Sequence, residues 1–191
     1  MNPAVSPNWA GHLVLAGLMA FLPALLAEKI MLSAYLLTFP LAARYALGSI
    51  RSAARYLSIL AFPLAYNWFF HMGFYNFCFS LPVFLLAVGF YIRHRSRLTW
   101  SHTLGLGGIL IGLYFCHLSG VIMAMGVIGG LAVWPLLIAP EKSKFASLAK
   151  LALAFAPVSA LVVVFFFQNT GHEDISPALL CLNRNDTPLS Q

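Results

Sequence analysis

The feature that most constrains this chain is a succession of apolar runs, each about 15–21 residues long and separated by short polar or basic connections. A run of that length is longer than a buried core helix needs and close to what a bilayer demands. The runs cover roughly residues 12–27, 30–47, 57–70, 72–92, 103–119, 121–139 and 150–168. Each is expected to be helical, because an isolated span in hydrocarbon must satisfy its own backbone hydrogen bonds. The dyad alternation of a membrane barrel is absent.

Composition supports the same conclusion. The chain has 191 residues, is 61% hydrophobic and only 8% charged. Soluble domains carry about 25% charged residues, so a water-soluble fold of this size could not cover its core. The expected fold is all-α, a polytopic transmembrane helical bundle with six spanning helices and one short N-terminal helix. That short run, 12–27, contains Pro23 and lies in the interface or crosses. A transmembrane domain of residues 1–168 is followed by a tail, 169–191, that is too weakly apolar to span.

The net charge of +6 sits in short connections and not in a basic patch interleaved with aromatics, which argues against nucleic-acid binding. Arg44, Arg51 and Arg55 flank one connection, Arg93, Arg95 and Arg97 occupy the next but one, and Lys142, Lys144 and Lys150 the next but one again. If every run from residue 30 onward crosses, these nine share one face, and only Lys29 and Arg184 occupy the other. The positive-inside rule makes connections 48–56, 93–102 and 140–150 cytoplasmic and the tail non-cytoplasmic.

The same count places "AEK", "YNWFFHMGFYN", "FCHLSG" and "QNTGHEDISP" on the outer face. From these come the candidate binding residues Glu28, Lys29, Asn67, Trp68, His71, Tyr75, Asn76 and His117. Ionisable and amide side chains are costly in a membrane, so each is either a hydrogen-bonded packing group or part of a site. Tyr66, Trp68 and Tyr75 could stack on a sugar or a lipid head group, and Lys29 could hold a phosphate. His172, Glu173 and Asp174 are consecutive and do not have metal-ligand spacing. Cys78, Cys116 and Cys181 form no CxxC pair, and neither a metal nor a cofactor is expected. No HExxH, GxSxG, Walker or GxGxxG motif occurs. Gly108/Gly112 and Gly126/Gly130 have the small-xxx-small spacing that permits close helix contact.

The stretches "NPAVSPNWAGHLVLAGLMAFLPALLAEKIMLSAYLLTFPLAARYAL", "FPLAYNWFFHMGFYNFCFSLPVFLLAVGFYIRHR" and "LYFCHLSG" resemble a group of large bacterial membrane proteins. Those are in turn similar to the GT-C glycosyltransferase superfamily, which uses polyprenyl-phosphate-linked sugars. The resemblance implies a bacterial inner-membrane location, a juxtamembrane helix at "SPNWAGHLVLAGLMAFLP" and a crossing helix at "AEKIMLSAYLLTFPLAARYAL". It also implies a lipid-linked sugar bound on the non-cytoplasmic side, with His71 or His117 lining the sugar cavity. The superfamily's catalytic acid lies ahead of the juxtamembrane helix, and this chain has no matching position. The resemblance therefore implies a fragment, a mis-started reading frame or a degenerate relative, with the catalytic residues unknown and the chain inactive alone. The alternatives are a non-enzymatic transporter or carrier, and a structural membrane subunit.

Overall fold

Proline and glycine divide the chain into its helices. The computed structural model describes residues 6–138 and 142–170, and every element in them is helical. The tail from 171, with His172, Glu173, Asp174 and Cys181, and the connection 139–141 lie outside the described residues. Helix α1 (Ala10–Met19) has 10 residues and stops ahead of Pro23, which disfavours helical backbone in the residue before it. At about 15 Å it cannot cross a hydrocarbon core of about 30 Å. Helix α2 (Ala24–Ile50) follows directly, with Pro23 at its N-cap. It buries Ala27, Met31, Tyr35, Phe39, Ala42, Ala43 and Ala46, a stripe at three- and four-residue spacing.

The stretch expected to be one helix over 57–70 is instead broken. A 3-10 helix (Ser52–Leu60) leads into α3 (Ala61–Ala65), and the helical path ends at Tyr66 (φ −84, ψ 57). Asn67 then takes extended backbone (φ −85, ψ 170), and its side chain accepts a hydrogen bond from the Phe70 N–H at 3.0 Å. That bond caps α4 (Trp68–His71), so the amide that makes a continuous span costly starts a new helix. Gly73, at φ +78, supplies the left-handed turn into α5 (Tyr75–His94). Segment 52–65 folds back along α2, and the Tyr35 hydroxyl donates to the Ala65 carbonyl at 3.3 Å. Tyr35, Phe39, Phe70 and Phe79 form an aromatic cluster beneath the break.

Helices α6 (Trp100–Cys116), α7 (Leu118–Ile138) and α8 (Lys142–Thr170) complete the bundle with α5. The core sits around α6: Leu106, Leu110, Leu113 and Tyr114 are wholly buried against Ala87 and Tyr91 of α5, Val121, Ala124 and Ile128 of α7, and Leu151, Ala154 and Val158 of α8. Close approach uses glycines other than those the spacing singled out. Gly89 lies against Ala46, Gly120 against Ser80 and Leu113, and Gly107 against Ala154, whereas Gly108, Gly112, Gly126 and Gly130 have open space beside them.

Among the described residues, four helices are long and apolar enough to cross a membrane: Ala24–Ile50, Tyr75–Arg97, Leu118–Ile138 and Phe145–Gln168. Helix α6, with 17 residues, is shorter, and segment 52–71 covers its distance in three pieces. The apolar windows of the four long helices are only 17–33% buried by protein, so most of their hydrocarbon surface faces outward. Side chains such as Leu37, Leu104, Trp134 and Leu137 are more than three-fifths exposed. Water would not tolerate so large an apolar exterior, whereas lipid tails cover it without cost. The chain is an integral membrane protein by this criterion.

Contacts between elements also sort the polar residues by end. The Arg93 guanidinium lies 5.9 Å from the Tyr45 ring, and the Lys150 ammonium donates to the Leu98 carbonyl at 2.8 Å. These contacts join the basic connections after α2 and α5 and the start of α8 at one end of the bundle. Tyr75 meets Glu28, and Trp9 meets Phe115, at the other.

Candidate functional site

The end opposite the basic connections holds a cleft of about 350 Å³. Helix α1 contributes Gly11, His12 and Leu15, α2 contributes Met31, and the start of α5 contributes Tyr75, Asn76 and Phe77. Asn8, Gly73, Phe74 and His117 complete the lining. Asn76 ties two of these elements, the start of α1 and the start of α5, which are more than 60 residues apart in sequence. Its Oδ1 accepts from the Gly11 N–H at 2.7 Å, and its Nδ2 donates to the Asn8 carbonyl at 2.8 Å. Gly11 is required at that contact, since a Cβ there would meet the Asn76 side chain. Asn8 adopts left-handed backbone, φ 71, a conformation asparagine tolerates better than most residues. The Trp9 N–H donates to the Phe115 carbonyl at 2.8 Å and fixes the entry of α1 onto the end of α6.

His117 lies in the extended break between α6 and α7. Its Nδ1 is 2.7 Å from the Ser119 hydroxyl and accepts the Ser119 N–H at 3.3 Å. A nitrogen that accepts a backbone N–H carries no proton, so in the neutral ring the proton sits on Nε2. The ring also packs edge-on against Phe77, with centroids 5.4 Å apart. Burial lowers the His117 pKa below the ordinary 6.5. The folded protein therefore holds fewer protons here than the unfolded chain in the window between that lowered value and 6.5. The stability this group contributes is fully present above 6.5 and declines as pH falls through the window. Thermal unfolding in detergent should show a melting temperature that drops on acidification, and His117→Gln should remove that component. An identical profile in the variant would assign the drop to other groups.

Of the eight sequence-derived candidates, Tyr75, Asn76 and His117 line the cleft. Glu28 adjoins it through Tyr75, whose hydroxyl donates to Oε1 at 3.4 Å. Lys29, the next residue on α2, is exposed and points elsewhere, as successive helical residues are about 100° apart. Asn67, Trp68 and His71 belong to α4 and do not line it: Asn67 caps that helix, Trp68 is exposed, and the His71 ring lies by Tyr66 and Phe70. Sequence reasoning missed Asn8 and His12. The signal available was "NWAGH" ahead of a run too short to cross, which is where an interfacial helix carries its polar residues.

The cleft offers imidazole, phenol and amide groups for hydrogen bonding. Glu28 is the one described carboxylate, and it is engaged with Tyr75. Among the described residues no group of three His, Cys, Asp or Glu could hold a metal ion. Beneath α1 lies a second, almost wholly apolar hollow of about 270 Å³, lined by Val14, Phe79, Pro82 and Leu86 and sharing Gly11 with the cleft. The chain matches no protein-family model, no curated protein and no solved structure.

Proposed function

We propose that this chain binds the head group of a lipid-linked sugar in the cleft between α1, α2 and α5, at the non-cytoplasmic face of a bacterial inner membrane. The observation that supports this reading most is the position of the cleft. Polar groups from three elements line a concavity at the end of an otherwise apolar body, opposite the basic connections that the positive-inside rule assigns to the cytoplasm. His12, Tyr75, Asn76 and His117 suit sugar hydroxyls and phosphate oxygens, and the exposed apolar flanks suit the lipid. The reading fits a GT-C-like relative that holds a polyprenyl-phosphate-linked sugar. It includes no catalytic base from the described residues, since Glu28 lies beside the cleft and not in it.

The test is binding of a polyprenyl-phosphate-linked hexose to the purified chain in nanodiscs. Paired substitution His12→Ala with His117→Ala is expected to weaken binding about tenfold or more, the effect of losing one or two hydrogen bonds to the ligand. Cysteines placed at 12 and 95 should label from the outside and the inside of cells, respectively. Absence of binding by the parent chain, or affinity indifferent to the pair, would remove this reading. The structural-subunit reading has one specific observation in its favour: Asn67 and Asn76 both use their side chains on backbone groups of the chain itself.

A further inference from the structure

The basic end has its own constructed feature, in the connection between α5 and α6. Arg93, Arg95 and Arg97 are exposed within five residues of one another, and Lys150 reaches over from α8. Among the described residues this end has no carboxylate, because the one described acid, Glu28, lies at the other. The connection is also held in place. His94 Nδ1 lies 2.9 Å from the Phe90 carbonyl, and the His94 and His102 rings pack together tilted by 38° with centroids 4.0 Å apart. Thr99 and His102 form a reciprocal cap on α6. Lys150 bonds the Leu98 carbonyl and lies 6.0 Å from the Trp100 ring. Trp100 is 62% exposed and Leu104, one turn along the same face of α6, is 75% exposed. Cations, an interfacial tryptophan and a strip of apolar surface thus follow one another in the order of an amphipathic lipid's head, interface and chain.

We propose that Arg95, Arg97 and Lys150, with Trp100 and Leu104, bind an anionic phospholipid of the facing leaflet, its phosphate on the cations and its acyl chain along α6. Membrane topology alone requires the charges only during insertion. It predicts no lipid preference once the protein is purified. Cations on a held connection, with no carboxylate at this end among the described residues, do predict one, because a lipid phosphate is a counter-charge available at that depth.

The test is competitive retention of phosphatidylglycerol and phosphatidylcholine by the full chain, read by native mass spectrometry after purification from mixed nanodiscs. The wild type should favour phosphatidylglycerol, and Arg95→Gln with Arg97→Gln should cut the preference by roughly fivefold per charge removed. Arg44→Gln with Arg51→Gln removes the same charge elsewhere on this end and should leave most of the preference. Excess inorganic phosphate should not displace the lipid. Equal retention of the two lipids by the wild type would overturn the proposal, as would equal effects of the two double variants. Full displacement by phosphate would reassign the cluster to a free anion and overturn the lipid assignment.

Discussion

Gly89→Val destabilises the bundle by about 1–3 kcal/mol, the range for forcing extra methyl groups into a packed seam. A Cβ at Gly89 would sit 2.8 Å from the Ala46 Cα and 2.9 Å from a Tyr45 ring carbon. The first of these is backbone and cannot rotate aside, so α2 and α5 must separate. That separation reaches far, because α2 and α5 share the most extensive contact among the described elements. Water does not push these helices together in a bilayer, so close van der Waals packing carries a larger share of their association than in a soluble core. The check is thermal or SDS unfolding of purified protein, with Gly126→Val as the control. Gly126 faces open space, and its valine variant should differ from wild type by no more than about 1 kcal/mol. If both variants unfold alike, the α2–α5 seam is not as close as described.

The second large effect is expected at Asn76. Replacement by leucine removes the acceptor of the Gly11 N–H and the donor to the Asn8 carbonyl together. Gly11 is buried, and an unpaired buried backbone group costs about 1–3 kcal/mol. The combined loss is expected to reach about 2–4 kcal/mol and to fall on the docking of α1 more than on the bundle. Hydrogen exchange should therefore accelerate over residues 8–19 while the core of α6 stays protected. Asn76→Asp keeps an acceptor for Gly11 and loses only the donor, so its stability should lie between the two. Unchanged exchange at α1 in the leucine variant would show that Asn76 does not hold this helix, and the cleft it closes would lose its wall.

Those two residues show where sequence reading succeeds and where it stops. The apolar runs at 72–92 and 121–139 correspond to α5 and α7 within about three residues, and 150–168 lies inside α8, which starts eight residues earlier at Lys142, because hydropathy over 20 or so positions is a local property. The run 57–70 looked similar yet is interrupted, because the backbone leaves the helix at Tyr66 and a capping bond from Asn67 starts a new one, which outweighs average hydropathy. Gly89 carried no spacing signal, whereas Gly108/Gly112 and Gly126/Gly130 did. Helix contact depends on what the facing helix presents, here Ala46, and not on the motif itself.

The sequence by itself determined that this is a helical membrane protein and which connections are basic, since transfer to hydrocarbon and the cost of charge there are additive along the chain. Only the tertiary structure decided which polar residues meet. His12 joins Tyr75, Asn76 and His117 because α1 folds onto the mouth of the bundle, while Lys29 and His71, equally plausible in sequence, are turned away by the helices that carry them. A side chain's facing is set by the packing of several helices at once, and no local pattern encodes that.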